Sequence, residues 1–467
     1  MNILKKFFKI LDKKEKVDVY ILIFLSFIGM VLETIGIGMI MPLLMILTHN
    51  KPLPDQLITF TDLFDVSPDP LNILVGTLYL MIVFFLIKFV FLLYLHYKQN
   101  SFVYNLQSRI STLMFRGYLF SSYSFHLKNN TTELIRNVIG EVREFTGAVL
   151  ALLIFMTEIL VLTGIVALLL FIEPLGAIAS LLVLGVSGLL FDRLSKKHVR
   201  NWGIIRQEQD GIRLKNLNQG LNALKEIKIF GKEEVFISAY KYNTYKTAAM
   251  EIRANVLSNT PKFGLELLAV LGVVILIFTL LEQGVSLKEI VPTIAIFGVA
   301  AFRIMPSINR LINTGQVVRY RLAAILMLEK EMSNFKKLKN LKSQKIFKID
   351  GIELTNVSFA YPGNKNFTLK NINLSILKND FIGIVGPSGE GKSTLLNLIL
   401  GLLEPNQGEI KSNKTNIYSY LDEWQNEIGY VPQDVYLIDD SIKNNIAFGQ
   451  EANEINNYKL NSAIKNA

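Results

Sequence analysis

The chain has 467 residues, 51% of them hydrophobic, a net charge of +10 and no cysteine. A mean hydropathy of +0.35 lies outside the range of an ordinary soluble domain, and the lack of cysteine excludes disulfides and thiolate metal sites. The four histidines, His49, His96, His126 and His198, are too scattered to form a ligand cluster.

Residues 1–16 alternate lysines with Ile3, Leu4, Phe7, Phe8, Ile10 and Leu11. Helical spacing gathers the apolar set on one side and predicts an interfacial helix on the cytoplasmic leaflet; a disordered basic tail is the alternative. The first apolar run is too long for the core of a cleavable signal peptide. Six spans are predicted, at 18–47, 71–96, 145–171, 175–192, 263–282 and 288–312, each near the ~20 residues that cross a bilayer.

Lysines and arginines sit between these runs, as at Lys5, Lys6, Lys9, Lys13 and Lys14 or Arg193, Lys196, Lys197 and Arg200, whereas the loop after the first run carries Asp55, Asp62, Asp65 and Asp69. This distribution assigns the basic segments to the cytoplasm and the positive charge to membrane topology, with no nucleic-acid partner. Residues 54–64 of the outer loop read either as a short helix on the outer leaflet or as an ordered loop. The long polar segments 97–144 and 193–262 are predicted to extend the helices into the cytoplasm, with tips near Asn129–Thr132 and Gly231–Glu233.

Charges inside the apolar segments are costly, about 3 kcal/mol or more at the centre of a span. Lys88, Lys262 and Arg303 therefore face a water-filled cavity, pair with Glu33, Glu158 or Glu266, or snorkel to the interface. A cavity lined by cations suits an anionic cargo. We take Lys88, Lys262 and Arg303 as the expected substrate path, with Arg303 deepest in its segment.

The domains follow: an interfacial helix at 1–16, a transmembrane domain at 17–330, a Lys/Asn/Ser-rich linker at 331–347 and a soluble part at 348–467. The soluble part opens with strand-like runs at Ile352–Phe359, Leu369–Ile376 and Phe381–Val385. Directly after the third comes Gly386-Pro387-Ser388-Gly389-Glu390-Gly391-Lys392-Ser393, which fits G-x-x-x-x-G-K-[ST], followed by a helical run at Thr394–Leu403. A strand, this loop and a helix form the context that a P-loop requires. The loop Gly386, Ser388, Gly389, Glu390, Gly391 and the residues Lys392, Ser393 and Thr394 at the helix start are the expected cradle for ATP phosphates. Lys392 would meet the β/γ-phosphates and Ser393 would ligate Mg²⁺.

Three further segments make the chain resemble the ABC ATPases. Tyr361, in Phe359-Ala360-Tyr361-Pro362-Gly363, is similar to the aromatic residue that stacks on adenine in that family. Ile428-Gly429-Tyr430-Val431-Pro432-Gln433 resembles its Q-loop, which implies that Gln433 contacts Mg²⁺ and the attacking water. Ser441-Ile442-Lys443-Asn444-Asn445-Ile446 resembles the segment that follows. The Leu-Ser-Gly-Gly-Gln signature, a Walker B strand and a switch histidine do not occur within these residues. The resemblance thus implies a half-transporter of the exporter type, truncated at its C-terminus and catalytically incomplete as it stands. The expected fold is an all-α membrane domain of six helices, then a partial α/β P-loop ATPase domain, acting as a homodimer.

Glu33-Thr34, Met41-Pro42, Tyr123–Val142, Pro261-Lys262 with Glu266, and Ala301–Arg310 resemble the PglK-type bacterial flippases. That likeness implies ATP-driven flipping of a lipid-linked, pyrophosphate-polyprenyl oligosaccharide across the inner membrane. Export of another lipid, a peptide or a drug is the alternative, as is an ATP-binding membrane protein without transport.

Overall fold

A computed structural model gives the architecture. It describes residues 2–39, 70–172, 174, 178, 181–282, 287–335, 349–364, 366–433 and 435–466. The chain divides into two units, Met1–Ser121 with Phe125–Lys339, and Ser122–Ser124 with Asn340–Ala467.

The first unit is helical. Helices α1 (Asn2–Ile10), α2 (Lys13–Gly38) and α3 (Pro70–Leu119) are followed by short helices α4 (Tyr123–Lys128) and α5 (Thr131–Arg136). A π-turn at Asn137–Glu141 leads into α6 (Val142–Ile172). A second π-turn at Leu181–Gly185 precedes α7 (Val186–Asn222), α8 (Leu224–Phe230), α9 (Glu233–Glu282), α10 (Leu287–Tyr320) and α11 (Leu322–Phe335).

Among the described residues, four helical stretches are long and apolar enough to cross a membrane: Lys13–Gly38, Leu74–Leu119, Thr131–Phe171 and Glu233–Thr279. The spans predicted at 175–192 and 288–312 fall on the start of α7 and on α10, partly over side chains outside the described residues, as does the outer loop 54–64. Two of the four apolar windows are hardly covered by protein, with 11% of the Leu74–Leu119 window and 6% of the Glu233–Thr279 window buried. Such surfaces require lipid or another chain against them.

Local chemistry explains the helix ends. Asp12 and Glu15 form a capping box at the start of α2, Asp12 Oδ1 accepting from the Glu15 N–H at 2.8 Å and Glu15 Oε2 from the Asp12 N–H at 3.0 Å. The chain turns at Asn130, whose side chain caps α5 by accepting from the Thr132 N–H. It turns again at Gly231, whose φ of 60° ends α8 in the left-handed cap that glycine adopts without strain. These breaks fall at the two polar tips read from the sequence.

Helix α1 differs from expectation in what it faces. Phe7 and Ile10, with Leu11 after them, are buried in a protein core with Leu22, Leu106, Ile110, Phe145 and Leu328. Lys6 and Lys9 reach Glu329 on α11 at 2.8 and 3.3 Å. The amphipathic side predicted to rest on lipid packs on the chain's own helices, because α11 offers it an apolar face with a carboxylate at the rim. Helix α11 also runs through Phe335, five residues into the segment read as linker; residues 336–348 lie outside the described set.

The second unit holds a four-stranded antiparallel sheet in the order β2-β1-β3-β4: β1 Gly351–Phe359, β2 Leu369–Leu377, β3 Gln407–Ser412 and β4 Thr415–Asn416. Leu354, Val357, Phe359 and Ile410 point from it into a core closed by Leu398, Leu403 and Trp424. Helix α12 (Lys392–Ile399) lies on this core and ends in a Schellman turn, with the Leu402 N–H donating to Asn397 O at 2.9 Å and the Gly401 N–H to Leu398 O at 3.1 Å. Trp424, on α13 (Leu421–Asn426), is almost wholly buried, and its Nε1–H donates to Ile399 O at 2.8 Å.

Candidate functional site

Residues 386–391 wrap over the start of α12. Gly389 and Gly391 both have φ of 91°, a left-handed conformation that side chains rarely adopt. At Gly391 a Cβ would also sit 2.8 Å from the end of the Leu369 side chain, which would have to shift to admit it. Helix α12 has no acidic residue in its first turn; it has Lys392 there instead. A cation at the positive end of a helix dipole is unfavourable for the helix alone and makes the spot attractive to an anion.

The Lys392 ammonium donates to Gly386 O at 2.8 Å and to Pro387 O at 2.6 Å, which holds it over the loop, and it has no ion pair among the described residues. Two neutral carbonyls position the charge without cancelling it. Ser393 is exposed beside it, and Thr394 is buried. A triphosphate fits this cradle: glycine backbone that leaves room, a helix N-terminus and an unneutralised lysine converge on one loop. Ser393 presents the hydroxyl suited to a magnesium ion.

Tyr361 is brought to this loop. Its hydroxyl lies 3.0 Å from Thr394 Oγ1, and its ring meets Phe359 edge-on at 5.1 Å. Gln433 is exposed, and no hydrogen bond joins it to Lys392 or Ser393. The segment after it is ordered by Asn445, whose side chain accepts from the Ile438 N–H at 2.9 Å and donates to the carbonyls of Ile438, Asp440 and Ser441.

The strand predicted at Phe381–Val385 is not a strand in the structure. These residues join no ladder among the described residues, and Phe381 and Val385 are fully exposed. A run apolar on both faces needs sheet neighbours on both sides. Strands β1 to β4 pair among themselves and supply none.

The membrane helices enclose a cavity of about 540 Å³. Leu92, Leu95, Val161 and Ile165 give it an apolar wall, while Glu33, Glu158 and Arg310 give it charge. Lys88, placed on the expected substrate path with a carboxylate pairing or snorkelling as the alternatives, is buried and donates to Glu33 Oε2 at 2.7 Å. The expected pairing was with one of three carboxylates, and proximity of α2 to α3 selects Glu33. Lys262 is exposed with no ion pair among the described residues. The side chain of Arg303 lies outside the described set.

Arg310 was missed by sequence reasoning. Its Nη1–H donates to Glu158 Oε1 at 2.6 Å, and the rest of the guanidinium stays open. The available signal was its spacing from Arg303: seven residues, two helical turns along one face.

The chain belongs to the ABC transporters. Residues 19–305 match the family model of the ABC transporter transmembrane region, and residues 369–466 match that of the ABC transporter. An ATP-dependent lipid A-core flippase from Alkalilimnicola ehrlichii is 29% identical over 349 residues, covering 71% of this chain and 54% of the relative. Another from Wigglesworthia glossinidia brevipalpis is 26% identical over 237 residues, covering 50% and 41%.

The subtilin transport ATP-binding protein SpaT of Bacillus subtilis is 39% identical over 126 residues, covering 26% of this chain and 20% of the relative. The chain thus spans about half or less of the length of these relatives. The structure of a bacterial Atm1-family ABC exporter with ATP bound shares the fold, with a TM-score of 0.74 at 16% identity over 97% of this chain and 76% of that one. The fold is therefore a helical ABC-exporter membrane domain followed by a partial ABC ATPase domain with a small sheet, in a multi-pass membrane protein.

Proposed function

We propose that this chain is half of an ATP-driven flippase that moves a lipid-linked, pyrophosphate-polyprenyl oligosaccharide across the bacterial inner membrane, working as a homodimer. The supporting observation is the membrane cavity, whose apolar wall suits a lipid chain and whose open Arg310 guanidinium suits a phosphate. Arg303 and Lys262 are proposed to extend that cationic path. Relatives named as lipid A-core flippases support a lipid cargo over a soluble one.

In the nucleotide domain, Tyr361 would stack on adenine, residues 386–391 and the start of α12 would surround the phosphates, and Lys392 would meet the β/γ-oxygens. Ser393 and Gln433 would hold Mg²⁺, whose charge would offset that of the phosphates. Gln433 would also orient the attacking water. Hydrolysis further requires groups that stabilise the developing charge and activate that water.

The test is reconstitution of the native transporter in liposomes with candidate cargoes. Flipping of a lipid-linked oligosaccharide with ATPase stimulation is expected. A transporter that ignores it and moves a peptide or a drug would overturn the cargo assignment.

A further inference from the structure

Helices α2 and α3 leave a groove of about 520 Å³ between them at the end of their apolar stretches. Its floor and inner wall are hydrocarbon: Leu22 and Leu106 are buried beneath it, and Ile21 and Leu25 flank it. Its outer rim is charged, and that rim is rigid. Arg109 on α3 grips the carboxylate of Glu15 through Nε and, at 2.6 Å, Nη2, and also donates to Ile10 O at 3.4 Å. The same Glu15 closes the capping box with Asp12. Those three charges are spent on pinning the first turn of α2 to α3.

Three lining charges remain: Lys14, Asp18 and Lys98. None has an ion pair among the described residues, and the Lys98 ammonium stands 5.5 Å from the centre of the Tyr94 ring. The exposed rings of Tyr20, Tyr94 and Tyr97 mark this level as the membrane–water boundary, where amphipathic aromatics collect. Basic pockets between membrane helices on the cytoplasmic side bind lipid head groups. Here two cations are joined by one carboxylate, and that balance distinguishes a zwitterionic head group from an anionic one. A phosphodiester satisfies both lysines, and an ammonium satisfies Asp18, which would repel a second negative charge.

We propose that this groove binds an amine-bearing zwitterionic phospholipid of the bilayer, with its phosphate between Lys14 and Lys98, its ammonium on Asp18 and an acyl chain along Ile21 and Leu25. The site is separate from the cargo cavity, which uses other residues of α2 and α3, and does not depend on which cargo is moved.

The test is native mass spectrometry of the transporter in mild detergent, offered equal amounts of phosphatidylethanolamine, phosphatidylcholine and phosphatidylglycerol with identical acyl chains. Wild type should retain phosphatidylethanolamine most strongly. Lys98→Gln should lower that retention about fivefold, the scale of one surface lysine facing a lipid phosphate. Asp18→Asn should abolish the preference for phosphatidylethanolamine over phosphatidylcholine, whose quaternary amine offers no N–H. Lys14 and Lys98 are exposed and Asp18 is half-buried, and unchanged melting in lipid-free detergent would confirm that the variants fold. Equal lipid retention by wild type and both variants, or a wild-type preference for phosphatidylglycerol, would overturn the proposal.

Discussion

Two lysines in this molecule have opposite surroundings. Lys88 is buried between membrane helices with its ammonium on the Glu33 carboxylate at 2.7 Å; Lys392 sits at a helix N-terminus with its ammonium on two backbone carbonyls. A carboxylate cancels the charge, so Lys88 serves to join helices. Carbonyls orient the charge and leave it intact, so Lys392 has a full positive charge for a ligand. Arg310 lies between these cases: Glu158 is its partner, yet its side chain is 62% exposed while that of Glu158 is 6% exposed. The guanidinium has donors enough to keep one carboxylate and still meet a second anion.

The largest effect that would test this contrast is on stability. Lys88→Ala strands a Glu33 that keeps some access to the cavity and should destabilise the membrane domain by about 2–3 kcal/mol, whereas Lys88→Met with Glu33→Gln removes both charges and should come close to wild type. Thermal melting in detergent reads both. A small loss in Lys88→Ala would mean that the pair does not join the helices and that Lys88 is free for cargo after all.

Lys392→Ala should leave melting unchanged and weaken ATP binding about a hundredfold, since it deletes an uncancelled charge at the proposed phosphate site. Near-normal ATP affinity measured by calorimetry would show that the loop is not the phosphate site.

Arg310 sharpens the contrast further. The double change Arg310→Gln with Glu158→Gln keeps a hydrogen bond possible and leaves no stranded charge, so stability should stay within about 1 kcal/mol. Flipping of the lipid-linked saccharide should nevertheless fall about tenfold, a loss of roughly 1.4 kcal/mol in contact with an anionic head group. A wild-type flipping rate in this variant would remove Arg310 from the cargo path.

How far these roles were legible depended on whether they are local in sequence. The glycine loop before α12 was readable because all its parts lie within eight residues, and strands β1 and β2 because alternation betrays a half-buried strand. Cation pairing was not readable: Lys88 and Glu33 are 55 residues apart, Arg310 and Glu158 152 apart, and several carboxylates fitted each cation. Phe381–Val385 shows the converse. Its composition is that of a strand, but a ladder also needs a partner. Trp424 gave no warning either, because its burial depends on the Ile399 carbonyl at the end of another helix.

The smallest expected effect concerns the pair that redirects α1. Lys6 and Lys9 hold Glu329, whose carboxyl lies below its ordinary value of 4.5, chiefly through the hydrogen bond from Lys6. The folded protein therefore favours ionised Glu329. That stability is fully present above the unfolded value and is lost as pH falls through the lower, folded one. Glu329→Gln should lower stability at pH 7 by less than about 1 kcal/mol, as for other partly exposed pairs. The gap from wild type should close as the pH is taken well below 4.5, where wild-type Glu329 is itself protonated. Melting curves across that range separate the electrostatic contribution from the packing of Phe7 and Ile10, which does not titrate. A deficit that persisted undiminished in acid would mean that α1 is held on α11 by its apolar side alone and that the two lysines add nothing to its docking.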